Sequence, residues 1–435
     1  MNKGQKLLKK AKKIIPGGNQ LLSKRSEMFL PGHWPTYYKK AKGFKIWDLE
    51  NKMYYDFAGM GVTSCVLGYS DNDLNQALIA GIKKGSMTTL NATEEIDLAN
   101  KFLNIHKWAK MAKFCKSGGE ACMVAIRIAR AFSKKQNIAF CGYHGWHDWY
   151  LAANMGKKNN LDTQLLPGLK TKGVSESYVN TIFPFNYNDI DSLRKIIEAK
   201  KNNIGIIIME PMRAVKPKNE FLQYVKKIAQ KNEIILIFDE ITSGFKDNLG
   251  GLHLKFKINP DIAIFGKSIG NGYPISAIIG RRKIMELSQE TFISSTMWTD
   301  RLGFIAANTT INKLKKKNIN SVISGYGRQI KKGWVAMAKK NNIKIRVSGL
   351  DSIPSFIFDY KNNKEISTFF IQEMLKKGFL ANTTLATTYA YNKKIIQKYL
   401  KTVDSVFKKI KLSITDKKFL LHGPIRHSTF RRLTG

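Results

Sequence analysis

Two short apolar runs, each followed by a charged residue, most constrain what this chain can fold into. The first covers 234–238 and is followed by Asp239; the second covers 262–265 and leads through Gly266 to Lys267. Short β-prone runs bounded by turn formers are typical of buried strands in a parallel sheet. Ligands of such sheets bind outside the carboxyl ends of the strands. The sequence therefore predicts that Asp239 and Lys267 meet at a ligand site.

The chain between residues 72 and 305 continues this alternation of strands and helices. Helical spacing covers 72–86, 94–108, 189–200 and 218–231, strand-like runs cover 137–141 and 204–209, and 111–132 combines a strand, a glycine turn and a helix. Alternation of this kind predicts an α/β fold, in which a mainly parallel central sheet is flanked by helices.

The terminal segments lack the alternation and predict a smaller α+β domain. They contain a predicted hairpin at 43–57, helices at 303–318, 321–341, 364–377 and 393–410, and paired strands within 343–360. We therefore predict three segments. Residues 1–71 form an N-terminal arm and part of the small domain, 72–305 form the large ligand-binding domain, and 306–435 form the C-terminal small domain.

The charge of the chain is strongly positive. Lys and Arg number 73 against 32 Asp and Glu, which gives a formal net charge of +41. Such an excess can mark a nucleic-acid or anionic-membrane partner. Here the lysines are scattered over predicted surface helices, and the longest pure runs, such as 315–317, are three residues. We interpret the charge as a solvated surface and expect neither nucleic acid nor membrane as a partner; a binder that uses the charge stays open as an alternative.

The cysteines and the apolar runs indicate a cytoplasmic protein. Cys65, Cys115, Cys122 and Cys141 form no C-x-x-C pair, and their density is too low for a disulfide scaffold. No apolar run reaches the length of a membrane span, and the N-terminal residues lack the pattern of a signal peptide. We expect reduced thiols and a cytoplasmic location.

A glycine pair at a predicted strand-to-helix turn is a candidate anion site. Ser117, Gly118 and Gly119 stand where the backbone can approach an anion closely and the new helix directs free N–H groups at it. By itself this pattern is more often an ordinary turn. Just past the next strand, His144 and His147 have a spacing that could hold a metal on a helix, but no third ligand accompanies them, so we expect no metal site.

Lys267 and Asp239 together indicate a particular cofactor. A lysine at a strand end among glycines suits Schiff-base chemistry, for which a lowered amine pKa is useful. An aspartate beside it suits the ring nitrogen of pyridoxal phosphate. The pair therefore predicts pyridoxal 5'-phosphate bound to Lys267.

The motifs jointly resemble the class III, fold-type I pyridoxal-phosphate aminotransferases, in the glutamate-1-semialdehyde 2,1-aminomutase-like branch. The resemblance runs nearly end to end, through "WDLENKMYYDF", "SGGEA", "GYHGWHD", "IFDEITSGF", "FGKSIGNGYPISAIIG" and "STMW". It implies that Lys267 carries the cofactor and that Asp239 pairs with its ring nitrogen. It further implies cofactor contacts from Ser117, Gly118, Gly119, Tyr143 and Ile241, and from Thr296 across a homodimer with shared active sites.

The resemblance implies an aminotransferase that acts on a small-molecule amino donor and a carbonyl acceptor. An intramolecular aminomutase is the alternative, and a decarboxylase or racemase using the same cofactor also stays open. Three departures limit the substrate assignment: Gly119 stands where the family often has Thr or Ser, Arg213 follows the Glu-Pro motif, and 380–391 lacks a carboxylate-binding arginine. The candidate substrate contacts, for a polar acceptor that is anionic or sugar-like, are Trp34, Glu210, Arg213, Trp298 and Arg426.

Overall fold

The chain folds into two compact units in the computed structural model. The described residues are 2–156, 160–164, 168–200, 203–218 and 220–427. Among these residues, one unit combines those up to Asn72 with those from Ser321 onward, and the other runs from Asp73 to Asn320. The predicted boundary at 305/306 falls inside a helix, Arg301–Lys316, that stays whole within the second unit.

The secondary structure of the described ranges is as follows. The helices are α1 (Lys3–Ile14), α2 (Met60–Thr63), α3 (Asn72–Lys83), α4 (Thr93–Ile105), α5 (Gly118–Ser133), α6 (Asp148–Leu151), α7 (Ala153–Gly156), α8 (Ile190–Ala199), α9 (Phe221–Lys231), α10 (Leu252–Lys255), α11 (Arg282–Met285), α12 (Arg301–Lys316), α13 (Ile319–Lys340), α14 (Asn363–Lys376) and α15 (Lys393–Thr415). The strands are β1 (Tyr38–Lys42), β2 (Lys45–Asp48), β3 (Met53–Phe57), β4 (Met111–Cys115), β5 (Asn137–Cys141), β6 (Ile182–Pro184), β7 (Ile204–Met209), β8 (Ile235–Asp239), β9 (Ile262–Phe265), β10 (Ser276–Gly280), β11 (Ile345–Gly349), β12 (Pro354–Phe358) and β13 (Phe379–Ala381). None of the helices in these ranges is both long and apolar enough to cross a lipid bilayer.

The second unit is built on a seven-stranded sheet with the order β4-β10-β9-β8-β7-β5-β6. Strand β10 is antiparallel to both of its neighbours, and the remaining pairs are parallel. The predicted α/β class with a mainly parallel sheet is confirmed. Strands β8 and β9 are adjacent, with Asp239 in register with Ile264. Their carboxyl ends therefore lie side by side at one edge of the sheet.

The central strands β7, β8 and β9 are buried on both faces, which explains why they are almost entirely apolar. Ile235 and Ile237 pack in the cluster that contains Ala121 and Ala125 of α5, whereas Leu236 and its alternating neighbours pack against α9 on the opposite face. Side chains alternate between faces along a strand. Asp239 therefore continues the α5 face at the end of β8.

The first unit contains a four-stranded sheet, β1-β2-β3-β13, and a separate hairpin of β11 and β12. The predicted hairpin at 43–57 and the predicted paired strands within 343–360 are both confirmed. The core of this unit is rich in aromatic residues. Within it, Trp334 Nε1–H donates to the Tyr399 hydroxyl at 3.1 Å, and Tyr399 stacks on Phe57 with ring centres 4.3 Å apart.

Three carboxylates are each shared between two cations. Asp351 meets Arg328 and Lys331, Glu373 meets Lys376 and Lys409, and Asp261 meets Lys226 and Arg281, at distances between 2.5 and 3.8 Å. Each of these carboxylates separates two like charges.

Candidate active site

Asp239 is held at the end of β8 by three donors. The ring nitrogen Nδ1 of His144 lies 2.8 Å from Oδ2, and the Cys122 thiol lies 3.6 Å from the same oxygen. The amide of Ile241 donates to Oδ1 at 2.9 Å. Asp239 is only 3% exposed, so these contacts compensate for removing its carboxylate from water. The carboxylate is fixed in position and can accept one further donor.

Lys267 follows β9 in an unusual backbone conformation. Its φ of 47° lies in the left-handed region, which a residue with a side chain seldom adopts outside constrained sites. The turn directs the side chain to Thr242, and Nζ donates to Thr242 Oγ1 at 2.8 Å. Thr242 thereby ties the loop after β8 to the loop after β9.

The surroundings lower the pKa of the Lys267 amine to about 8. Burial is the main cause, because an ammonium group loses hydration there, and the positive charge of Arg213 adds to it. Glu210, Asp239 and Cys122 act in the opposite direction. The charges of Glu210 and Asp239, the carboxylates at the ends of strands β7 and β8, therefore both act on the Lys267 amine.

Glu210 and Arg213, whose charges both act on Lys267, form an ion pair with each other. Arg213 Nη1 donates to both oxygens of the Glu210 carboxylate, at 2.9 and 3.1 Å. The Tyr143 amide donates to Oε2 of Glu210 at 3.3 Å. Gly142 has a φ of +106°, and a Cβ there would stand 2.7 Å from that same oxygen, so this position requires glycine. A cavity of about 220 Å³ opens beside Gly142, Glu210 and Arg213.

The N-terminus of α5, the predicted anion site, has a free pair of amides. Ser117 caps the helix: its hydroxyl accepts from the Glu120 amide, while Glu120 Oε2 accepts from the Ser117 amide at 2.7 Å. This capping box leaves the amides of Gly118 and Gly119 without an acceptor in the described part of the chain. The Ser117 hydroxyl itself is engaged in the cap.

Ile241 separates two glycines at this edge. A Cβ on Gly118 would stand 2.8 Å from Ile241 Cδ1, and one on Gly266 would stand 3.4 Å from Ile241 Cγ2. Tyr143 presents its ring edge-on to Tyr150, with centres 5.7 Å apart. Free amides for an anion, apolar and aromatic side chains for a flat ring, a carboxylate and an amine are the groups that pyridoxal phosphate needs. The residues present therefore fit the predicted cofactor.

Of the two predicted residues in the "STMW" motif, Trp298 reaches the N-terminal turn of α5 and Thr296 faces outward. Trp298 Nε1–H donates to Glu120 Oε1 at 3.3 Å. Thr296 is exposed. Trp298 therefore lies next to the anion site within the same chain.

Trp34 and Arg426, two further predicted substrate contacts, belong to the other compact unit. Trp34 is 8% exposed and stacks on Phe29 with ring centres 4.5 Å apart. Arg426 donates from Nη1 to Asn382 Oδ1 at 2.7 Å, and burial lowers its pKa to about 10. The local surroundings of Trp34 are those of a packing residue.

Three residues of the site, Cys122, His144 and Thr242, are not among those predicted from the sequence. Cys122 was noted only as a reduced thiol, and Thr242 was not singled out. The i, i+3, i+4 pattern of α5 places position 122 near its buried face, but nothing in the sequence shows that Asp239 lies opposite. Among the described residues, Cys122, His144 and Asp239 bring potential metal ligands within 4.8 Å of one another. His144 and Asp239 are already paired there, at hydrogen-bonding distance.

Comparison with known sequences agrees with this geometry. A profile of the family described as "Aminotransferase class-III" matches residues 31–409. A 3-aminobutyryl-CoA aminotransferase of Cloacimonas acidaminovorans is 31% identical over 360 residues, which cover 81% of this chain and 82% of that protein. A glutamate-1-semialdehyde 2,1-aminomutase of Ignicoccus hospitalis is 29% identical over 432 residues, 94% of this chain and 100% of that protein.

Solved structures share the fold. An omega-transaminase from Sphaerobacter thermophilus superimposes with a TM-score of 0.84 at 20% identity, over 94% of this chain and 98% of that one. A glutamate-1-semialdehyde aminomutase from Pseudomonas aeruginosa superimposes with a TM-score of 0.80 at 16% identity, over 94% of each chain. At these identities the likeness concerns the fold.

Proposed function

This chain belongs to the class-III aminotransferase family and is an enzyme that uses pyridoxal phosphate, and we propose that it moves an amino group between an amino donor and an aldehyde or ketone acceptor. One observation carries the proposal: the Lys267 amine has a lowered pKa and is influenced by the buried carboxylate of Asp239, which three donors hold in position. When bound, pyridoxal phosphate supplies a ring that takes up the negative charge left when a proton leaves the substrate carbon.

Each residue of the site has a defined task in this proposal. Lys267 would hold the cofactor through Nζ, and its amine would carry a proton to and from the substrate carbon. Asp239 would hold a proton on the ring nitrogen. The amides of Gly118 and Gly119 would bind the phosphate, and Ile241 and Tyr143 would pack against the ring.

Replacing Lys267 with alanine tests the proposal. We expect Lys267→Ala to lose both the visible absorbance of the lysine-bound cofactor and turnover, because no other residue is assigned the covalent role. Lys255→Ala, an exposed lysine of the same unit, is the control and should keep both. A Lys267→Ala protein that retains absorbance and turnover would refute the assignment.

An intramolecular aminomutase is the second candidate function. It is favoured by the similarity to a glutamate-1-semialdehyde aminomutase along the entire length of that relative. The two reactions differ in their need for a second substrate. Turnover that depends on an added keto acid or aldehyde acceptor supports the aminotransferase, whereas turnover of a single substrate without any acceptor supports the aminomutase.

The substrate side of the proposal rests on Arg213. Its side chain is 34% exposed and lines the cavity next to Glu210, so an anionic or polar group that enters can compete for the guanidinium. We expect Arg213→Met to raise KM for an anionic substrate far more than for a neutral one of the same size. Equal KM values for both substrates would remove Arg213 from substrate recognition.

We further propose a homodimer in the cytoplasm with no nucleic-acid partner. Large apolar side chains are exposed around α3, α4 and the segment before α12, including Leu90 at 81% and Phe292 at 90%. Arg301 links these regions, because it donates to the carbonyls of Lys84 and Gly85. Thr296 lies in the same segment as Phe292, which suits a contact with the partner's cofactor. The buried free cysteines suit a reducing compartment.

The mass in solution tests the dimer. The 49.4 kDa chain should sediment at twice that mass, and Phe292→Lys should shift it toward the monomer, because a buried unpaired charge would oppose association. A wild-type monomer would contradict the proposal. Retention on DNA at physiological salt would contradict the expectation about nucleic acid.

A further inference from the structure

We infer that His147 is a phosphate ligand of this enzyme, donating from Nε2 to an oxygen that the amide of Gly119 also binds. The inference rests on the proposed function, since it takes the phosphate to lie at the N-terminus of α5. It adds a residue from a different element to that site. It also explains why position 119 is glycine in this chain.

The loop after β5 lies directly against the first turn of α5. A Cβ on Gly145 would stand 3.0 Å from the Cα of Gly119. Two residues further on, the ring of His147 occupies the space that a side chain at position 119 would fill: Cδ2 lies 3.2 Å and Nε2 lies 3.3 Å from the ideal Cβ position. The imidazole therefore lies next to the Cα of Gly119, the residue whose amide is free.

Nε2 of His147 has no partner of its own. It is shielded from solvent and forms no hydrogen bond with any residue in the described ranges. A buried polar atom without a partner costs free energy, which an acceptor oxygen at this position would recover. Burial also lowers the pKa of His147, which favours the neutral ring with a single N–H. With that hydrogen on Nε2, the ring donates toward the helix N-terminus.

The ring is held in this orientation by its neighbours. Trp146 stacks on His147 with ring centres 4.5 Å apart and an interplanar angle of 17°. The His147 carbonyl accepts from the Tyr150 amide at 2.9 Å as α6 begins. Both oxygens of Glu120, the nearest acid on α5, are already engaged with backbone amides and with Trp298. An incoming anion therefore meets donors at Gly119 and His147.

A serine or threonine at position 119 would crowd this ring and displace it by a few tenths of an ångström. Its Cβ would lie 3.2 to 3.3 Å from the imidazole, closer than most such contacts, and the side-chain oxygen would need the space of Nε2. Glycine at 119 and histidine at 147 thus form a matched pair. The ring N–H stands where a hydroxyl at 119 would otherwise reach the anion.

The test measures cofactor affinity with and without the phosphate group. The apoenzyme is titrated with pyridoxal phosphate and, separately, with pyridoxal. The dissociation constants are taken from the visible band of the lysine-bound ligand. His147→Phe keeps a ring and removes the N–H. We expect His147→Phe to weaken the affinity for pyridoxal phosphate by roughly 10- to 100-fold, the range expected for losing a hydrogen bond to a charged group. The affinity for pyridoxal should stay unchanged.

Two further variants separate a ligand from a packing role. His147→Gln retains an N–H donor and should recover part of the lost affinity. The double variant Gly119→Ser with His147→Ala replaces the ring by a hydroxyl and should bind pyridoxal phosphate more tightly than His147→Ala alone. The ³¹P resonance of the bound phosphate should move in His147→Phe.

The outcomes are distinct. Equal losses for both ligands in His147→Phe, or no loss with pyridoxal phosphate, would overturn the inference and leave the proposed function intact. A wild-type protein that forms no visible band with either ligand would instead refute the proposed function. Circular dichroism confirms that each variant is folded before it is titrated.

Discussion

The lowered pKa of Lys267 makes a quantitative prediction about cofactor capture. With an ordinary amine pKa of 10.5, about one lysine in 3,000 is neutral at pH 7, whereas with a pKa of about 8 about one in ten is neutral. The amine that attacks the cofactor is therefore roughly 300-fold more abundant than in free lysine. Arg213 is, after burial, the leading cause of this shift. Removing its charge in Arg213→Met should raise the pKa of Lys267 by on the order of one unit.

The assay follows the rate at which the apoenzyme captures pyridoxal phosphate between pH 6 and 10. Each unit of upward shift in the pKa of Lys267 lowers the neutral fraction at pH 7 about tenfold, and the capture rate should fall in proportion. A free lysine derivative, titrated in parallel, corrects for the ionisation of the cofactor itself. Arg281→Met is the matched control, because it removes an arginine that is 43% exposed and paired with Asp261.

Two results would refute this reasoning. If Arg213→Met leaves the midpoint of the capture rate where the wild type has it, burial alone sets the pKa of Lys267. If the midpoint in Arg213→Met moves to lower pH, the charge of Arg213 raises the pKa of Lys267 instead of lowering it. An equal shift in Arg281→Met would show that the effect reflects the net charge of the protein.

Further predictions concern stability and thiol chemistry. Burial lowers the pKa of His106 to about 4, whereas the unfolded chain has an ordinary pKa of 6.5 and therefore binds a proton that the folded chain excludes. The free energy of unfolding should therefore fall by up to about 3 kcal/mol as the pH falls from 6.5 to 4. In urea unfolding, His106→Phe should show a smaller fall in the free energy of unfolding over this pH range. The pKa of Glu240 is lowered by its partners His253 and Ser243, against the effect of burial, so stability should fall further as pH drops below 4.5. The four free cysteines are all buried, and burial raises the pKa of Cys65 and Cys115 to about 12, so a thiol reagent at pH 8 should label them only after denaturation, as mass spectrometry would show.

The sequence was sufficient to predict most of the sheet and the meeting of two strand ends. Strands 137–141 and 262–265 have the predicted limits, because continuous apolar runs between turn residues have few other solutions in a fold of this class. Asp239 and Lys267 share an edge because adjacent parallel strands end on the same side. These conclusions need only local patterns and one rule of topology.

The contacts between distant elements could not be predicted in the same way. Cys122 and His144 both contact Asp239. These contacts depend on which helix covers which face of the sheet, and no local sequence pattern reveals that arrangement. His144 was considered as a metal ligand because spacing alone cannot reveal the carboxylate opposite it. Trp34 was singled out as a candidate substrate contact because an aromatic residue in a terminal arm has the same pattern whether it binds a ligand or stacks on Phe29.

The carboxylates shared between two cations create an unequal tolerance to mutation across the surface. Losing Lys331 leaves Asp351 paired with Arg328, and the loss of one exposed ion pair should change the stability of the fold very little. Losing Asp351 instead leaves two cations facing each other with nothing between them. In a chain with more than twice as many basic as acidic residues, these shared carboxylates are therefore harder to replace than the cations around them. Sequence drift should be free to remove lysines and should keep the carboxylates that join them.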